Sequence, residues 1–233
     1  MSRSLKYDIP GVDWRRSMAD AYEFGIHSLF EPDYTAPFPL VVEIGFGRGE
    51  FLLELAAKYP DVAFFGVEVS WKRVLKMARK VARAELGNVR LVAGRGEAIL
   101  QDCLPDQSVQ EIWVNFSDPW PKAAHAHRRI FQPPFIHRAA QVLEPTGVLK
   151  IATDDPIYAV QIDEVLSGEP LLHNVHAPAP YIGEDPARIE TSYEQDWRAE
   201  GRTMHFFDYV PQNVPQNVPQ NVPRKAAGAV SES

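Results

Sequence analysis

The sequence has a single cysteine, Cys103, in 233 residues. One thiol excludes an internal disulfide and any cysteine-based zinc cluster, and it suits a reducing compartment. No apolar run approaches the roughly 20 residues that a membrane-spanning helix needs. The opening Met-Ser-Arg-Ser-Leu-Lys-Tyr-Asp has no apolar signal core. A soluble, cytoplasmic protein is expected. An excess of positive charge is also missing, because 24 Lys and Arg stand against 31 Asp and Glu, a net charge of −7. The average charge therefore does not point to nucleic acid, and phosphate contacts would have to come from local basic patches.

The apolar fraction of 45% and charged fraction of 24% are those of a soluble globular protein. The length suits one full-sized domain. Residues 1–36 read as an N-terminal extension packing on that domain, with a short helix over 14–30. The domain itself runs from 37 to 210. It begins with a β-branched run at Leu40–Gly45, followed by a glycine loop and an amphipathic helix over Glu50–Lys58 that Pro60 stops. A strand at Val62–Glu68, a helix over Trp71–Leu86, a strand at Val89–Ala93 and a short helix over Glu97–Leu104 follow. Glu111–Phe116 is the fourth strand. A helix over Pro134–Leu143, a turn at Pro145–Gly147, a strand at Gly147–Thr153 and a helix over Pro156–Leu166 come next. Alternation at this spacing predicts an α/β fold with a mostly parallel, doubly wound sheet. Leu171–Ala177 and Thr203–Val210 read as two further strands forming an antiparallel closing edge. From Pro211 the chain repeats Pro-Gln-Asn-Val three times, too short and polar a unit to bury a core, so 211–233 is expected to be a disordered tail.

The loop Glu43-Ile-Gly-Phe-Gly-Arg-Gly joins the first strand to its helix, and Gly45 and Gly47 let backbone pass close to a ligand. A dinucleotide site wants a third glycine where this chain has Glu50, and a carboxylate in the first helical turn repels a pyrophosphate. The acidic Glu43 suits a cationic or hydroxyl-rich ligand instead. Glu68, ending the second strand, is placed to accept from two ribose hydroxyls. Glu97, after the third strand, offers a polar contact to an adenine edge, although a helix N-terminal acid favoured by the dipole explains it equally well. An acidic glycine loop, a strand-end acid and a third polar contact together describe a pocket for S-adenosyl-L-methionine, a ribonucleoside carrying a sulfonium and no phosphate. No metal is expected.

The most distinctive stretch is Val114–Arg129. An apolar strand ends at Asp118, two prolines bracket Trp120, and a basic run with Lys122, His125, His127, Arg128 and Arg129 follows. The prolines stiffen the loop and push Asp118 and Trp120 away from helical geometry. Asp118 would then lie at the carboxyl end of a buried strand, where open α/β sheets bind ligands. A second set of basic residues, Lys72, Lys76, Arg79, Lys80 and Arg83, recurs at helical spacing, as an RNA contact or as an ordinary solvated helix face.

With both motifs in hand, the chain resembles the bacterial tRNA (guanine-N7-)-methyltransferases, which have a class I, Rossmann-like methyltransferase fold. The resemblance is carried by Glu43-Ile-Gly-Phe-Gly-Arg-Gly, Gly66-Val-Glu-Val69, Phe116-Ser-Asp-Pro-Trp-Pro-Lys122 with His125 and Arg128-Arg129, Ala152-Thr-Asp154 and Thr191-Ser-Tyr-Glu194. It implies an enzyme that methylates N7 of a guanosine in the variable region of tRNA, at position 46. It also implies that Glu43, Glu68, Glu97 and Asp118 line the S-adenosyl-L-methionine site, with Asp118 also catalytic. Lys122, Asp154 and Thr191, Ser192, Tyr193 and Glu194 would contact the tRNA. The chain departs from the family at His127, where a lysine is usual, and at Glu97, where Asp or Asn is usual. Monomer and homodimer both remain open, and no membrane or obligate protein partner is expected.

Guanine N7 already carries an in-plane lone pair, so methylation needs alignment and tolerance of developing positive charge rather than a prior deprotonation. A fixed carboxylate serves both needs, which makes Asp118 an orienting and electrostatic group more than a general base. Trp120 or Phe116 would stack on the extruded base, and Lys122 through Arg129 would hold flanking phosphates. Two alternatives use the same pocket. An amino methyltransferase acting on another nucleobase or on glutamine would want a second proline where Trp120 stands. A non-catalytic S-adenosyl-L-methionine-binding module would be expected to have lost pocket acids that are all present here.

Overall fold

The computed structural model describes residues 7–31, 33, 38–186 and 188–212. Eight strands form one sheet: β1 (Arg15–Arg16), β2 (Leu40–Ile44), β3 (Ala63–Glu68), β4 (Val89–Ala93), β5 (Val109–Asn115), β6 (Leu143–Thr153), β7 (Leu172–Asn174) and β8 (His205–Pro211). Their spatial order is β1-β4-β3-β2-β5-β6-β8-β7. The six strands from β1 to β6 pair in parallel, and β8 pairs antiparallel with both β6 and β7. The expected doubly wound sheet with an antiparallel edge is thus the architecture found.

Period-two alternation on β2 splits its side chains between two layers. Val42 and Ile44 face the core beneath α1 (Met18–Ser28), α4 (Gly96–Asp102), α5 (Pro133–Val142) and α6 (Pro156–Ser167). Val41 faces the opposite core, which α2 (Glu50–Lys58) and α3 (Trp71–Arg83) cover with Phe51, Leu52, Leu55, Val74, Met77 and Val81. β2 is the switch point, because it pairs with β3 on one side and β5 on the other and the chain winds outward both ways. The crevice at its carboxyl end is where such sheets take ligands.

The N-terminal helix expected over 14–30 is shorter. Arg15 and Arg16 instead add a parallel strand beside Leu91 and Val92. The helix starts only after Ser17, whose hydroxyl accepts from Asp20 N while Asp20 accepts from Ser17 N, a capping box. Gly25, at φ +74°, kinks it. Arg90, fully buried on β4, explains why this segment stays on the sheet. It donates to the carbonyls of Leu29, Gly87 and Val89, pairs with Asp33, and lies 4.0 Å from the Trp14 ring centroid.

The closing edge also differs in detail. β7 has only three residues, and pairing of β6 with β5 begins already at Leu143, with a register shift near Val109 and Glu111, so the expected turn at 145–147 lies inside the strand. Between β7 and β8 the chain forms α7 (Ser192–Ala199), which hydrophobic periodicity did not announce because the helix carries little apolar surface. Of the expected tail, 213–233 lie outside the described residues. Among those described, no helix is long and apolar enough to cross a membrane.

Candidate active site at the carboxyl ends of β2 and β5

β2 runs into Gly45, Gly47 and Gly49, all with positive φ (79°, 55° and 74°). Such backbone is strained for any residue with a Cβ. Gly49 is doubly required, since a Cβ there would sit 2.2 Å from Met77 Sδ on α3. The loop opens a cavity of about 320 Å³, walled by Glu43, the glycines, Arg48 and Glu50 on one side. Asn115, Phe116, Asp118 and Pro119 form another wall, and Thr191, Tyr193 and Trp197 a third. Arg73 of α3 completes the lining, so four separate stretches of sequence meet at one place.

Glu43 is the electrostatic centre of the cavity. Its side chain is 2% exposed. Oε1 accepts from Asn115 Nδ2 at 3.1 Å, while the buried Oε2 has no hydrogen-bond partner. Burial pushes its carboxyl up to about 7, with Asn115 and Arg188 pulling it down and Glu68 pushing it further up. A buried carboxylate oxygen left without a donor at a cavity wall fits a cationic or N–H-bearing ligand. Glu68 is also buried, but its oxygens already accept from Gly47 N (3.1 Å), Ser70 N (2.9 Å) and Arg73 Nη1 (3.5 Å). An ionised carboxylate offers about four lone-pair directions, so room for a hydroxyl pair remains. Glu43, on the cavity wall, has the chemistry to meet the cationic part of S-adenosyl-L-methionine, and Glu68, at the end of β3 and outside that wall, the chemistry to meet its hydroxyls. Glu97 lies in the first turn of α4, partly exposed and paired with Arg95 at 2.9 Å, outside the cavity wall.

Asp118 is exposed and lines the cavity. The loop that carries it holds two bulky residues in left-handed backbone, Phe116 at φ +52° and Trp120 at φ +42°. Such conformations cost on the order of 1–3 kcal/mol each and persist only where the surroundings impose them. Arg129 imposes this one, by donating to the carbonyls of Pro119 (2.7 Å) and Trp120 (3.4 Å) and to Gln161 Oε1 (2.5 Å).

The residues expected to address RNA are placed unevenly. Lys122, His127 and Arg128 are exposed around a 3-10 turn over Ala123–Arg128. Trp120 lies in that cluster, with His125 edge-on at 5.7 Å and the Arg128 guanidinium 4.9 Å from its centroid. Its ring is absent from the cavity wall, where Phe116 stands instead, edge-on to Trp197. Asp154 pairs with Arg202 at 2.6 Å. Thr191 caps α7 by accepting from Glu194 N, and Tyr193 stacks under Arg48 at 4.3 Å. Glu194 is 1% exposed and is engaged by Arg198 and Arg188.

Sequence reasoning passed over Asn115, Arg188 and Arg73. Asn115 had a readable signal: it is a polar residue ending an apolar strand, on the same face as Trp113. Arg188 had none, being one arginine in a polar segment.

A family model described as "Putative methyltransferase" matches residues 37–207. The tRNA (guanine-N(7)-)-methyltransferase of Thermotoga maritima is 40% identical over 70% of this chain and 51% of its own length. The enzyme of the same name from Leifsonia xyli subsp. xyli is 38% identical over 74% of this chain and 76% of its own. The chain thus spans between about half and about three quarters of these relatives. Among solved structures, the 16S rRNA methyltransferase KamB superposes with a TM-score of 0.57 over 79% of this chain and 92% of its own, at 15% identity. The aminoglycoside resistance methyltransferase NpmB1 gives 0.54 over 76% and 89%, at 17% identity. These two share the fold alone, the class I methyltransferase architecture seen here. With the glycine loop, the strand-end acids and the Asp118 loop all inside the matched region, the chain belongs to the tRNA (guanine-N(7)-)-methyltransferase family.

Proposed function

We propose that this protein transfers a methyl group from S-adenosyl-L-methionine to N7 of a guanosine in tRNA, at position 46 of the variable region as in the family it resembles. As a tRNA-modifying enzyme it would work in the cytoplasm. The observation that carries the reading is the pairing, in one cavity at the sheet's switch point, of a buried carboxylate with an unpartnered oxygen, Glu43, and an exposed carboxylate, Asp118. The bound methyl donor would supply an electrophilic methyl on a positively charged sulfur. Glu43 Oε2 meets the cationic end of that donor and Glu68 its ribose hydroxyls. Glu97 would reach the adenine end only by leaving Arg95.

Asp118 accepts from guanine N–H groups, turns N7 toward the cavity and stabilises the positive charge that the purine gains. No base is needed, since the N7 lone pair is free. Phe116, on the cavity wall, is better placed than Trp120 to stack on the extruded base. Lys122 and Arg128 hold phosphates beside the target. Thr191 and Tyr193 line the cavity and meet the RNA there, with Tyr193 and Arg48 forming a stacked pair, while Asp154 lies outside the wall and is paired with Arg202.

Incubation with labelled S-adenosyl-L-methionine and unmodified tRNA, followed by strand cleavage at N7-methylguanosine, tests the reading. Label at a single guanosine of the variable region is expected. Label on adenine, or none while S-adenosyl-L-methionine still binds, overturns it.

A further inference from the structure

Arg188 lies four residues before the start of α7 and carries a side chain only 3% exposed. Its guanidinium is packed among rings, 4.8 Å from the centroid of Phe206, 5.3 Å from Trp113 and 5.6 Å from Phe51. Burial pulls its pKa below the usual arginine range, with Glu194 acting in the opposite sense. A buried charge of this kind is costly unless its donors and its charge are answered. Two groups answer them in part, and Nε itself makes no hydrogen bond. Nη2 donates to Asn115 Oδ1 at 2.5 Å, and Nε lies 3.5 Å from Glu194 Oε2 as an ion pair. Asn115 passes the contact on, donating Nδ2 to Glu43 Oε1. A line of polar contacts therefore runs from Arg198 through Glu194, Arg188 and Asn115 to Glu43, from α7 to the cavity wall.

The chemistry of that line is directional. A guanidinium only donates, so the Asn115 group that faces it must be the carbonyl oxygen, and the amide NH₂ must face Glu43. Without Arg188 the hydrogen bond to Oδ1 is lost, and when Glu43 carries the proton that burial favours, the Asn115 amide can turn over and accept from it instead of donating to it. We propose that Arg188 is a positioning residue for methyl transfer: by holding Asn115 Oδ1 it decides which end of that amide meets Glu43, and so holds the carboxylate with Oε1 satisfied and Oε2 open to the cationic methyl donor. Glu194 then serves as the buried anchor of Arg188 rather than as a contact to the tRNA. This assignment rests on the proposed S-adenosyl-L-methionine site.

The test uses the full chain and measures S-adenosyl-L-methionine binding calorimetrically without RNA, tRNA affinity by filter binding, and the two KM values. Arg188→Met keeps the stem but removes every donor. It is expected to weaken S-adenosyl-L-methionine binding and raise its KM at least about tenfold while tRNA affinity stays unchanged, in line with the loss of a hydrogen bond to a charged group. Arg188→Lys, which restores a donor and the charge, should recover part of that loss. Asn115→Asp, nearly isosteric, presents an oxygen to Glu43 whichever way it turns and should reproduce the loss. Wild-type binding of S-adenosyl-L-methionine by folded Arg188→Met overturns the proposal, as does lost tRNA affinity with the donor still bound normally. If Arg188→Met does not fold, normal binding by Asn115→Asp overturns it alone. A wild-type protein that binds the methyl donor but methylates no tRNA overturns the functional reading instead, and the binding data still decide this one.

Discussion

Arg129 Nε donates to the carbonyl oxygen of Pro119 at 2.7 Å, so one of the two paired arginines belongs to the interior of the Asp118 loop and not to its surface. Its neighbour Arg128 is exposed and lies against Trp120. Two residues that read alike in sequence thus have different surroundings.

Arg129→Ala should destabilise the protein by about 2–4 kcal/mol, since it removes charge-assisted bonds to Pro119, Trp120 and Gln161 that hold a strained turn. Urea unfolding measures this, and the salt dependence of tRNA binding should stay as in the wild type. Lys122→Ala and Arg128→Ala should do the reverse, leaving stability within about 0.5 kcal/mol and lowering the slope of log affinity against log salt by about 1 each. An unchanged slope in both would remove them from the RNA interface.

Asp118→Ala should cut kcat by about 10²–10³ with the melting temperature unchanged, because the side chain is exposed and its work lies in the transition state. Asp118→Asn, which keeps one acceptor and loses the charge, should fall between. Single-turnover methylation with saturating tRNA separates this from weaker binding.

Glu43 gives a pH signature. Its folded-state pKa of about 7 lies above the ordinary carboxyl value of 4.5, so the ligand-free protein holds a proton there that the unfolded chain has lost. Stability contributed by that proton is present below pH 4.5 and fades as pH rises toward and through about 7. Glu43→Gln should therefore stabilise the ligand-free protein at pH 8 by on the order of 1–3 kcal/mol and flatten its stability from pH 5 to 8. Donor binding should release a proton below pH 7 in the wild type, seen by calorimetry in buffers of different ionisation enthalpy, and not in the variant.

Gly49→Ala combines a Cβ at φ +74° with one 2.2 Å from Met77 Sδ. A loss of about 1–3 kcal/mol is expected. Met77→Ala in the same chain should return the steric part and leave the backbone part. Full recovery would mean that the left-handed turn itself costs nothing.

How much of this was legible differs by kind of signal. The strand–helix alternation, the glycine turn, Glu43, Glu68 and Asp118 are local: each rests on the periodicity of a short run or on a residue at a strand end. Helix α7 escaped because its stability comes from a threonine cap and from ion pairs of Arg198 with Glu184, Glu190 and Glu194, not from an apolar stripe. Trp120 read as a base-stacking ring, yet only folding shows it committed to His125 and Arg128.

The amino-acid sequence by itself determined the architecture and the placing of Glu43 and Asp118 at strand ends, because hydrophobic period, glycine backbone freedom and proline stiffness act within a few residues. Only the tertiary structure decided which polar groups answer one another. Glu43, Asn115 and the Arg188–Glu194 stretch lie on three separate segments, and a buried charge is satisfied by whatever the packing of those segments brings within contact. No spacing in the sequence encodes that meeting; the crossing of β2, β5 and α7 over one cavity creates it.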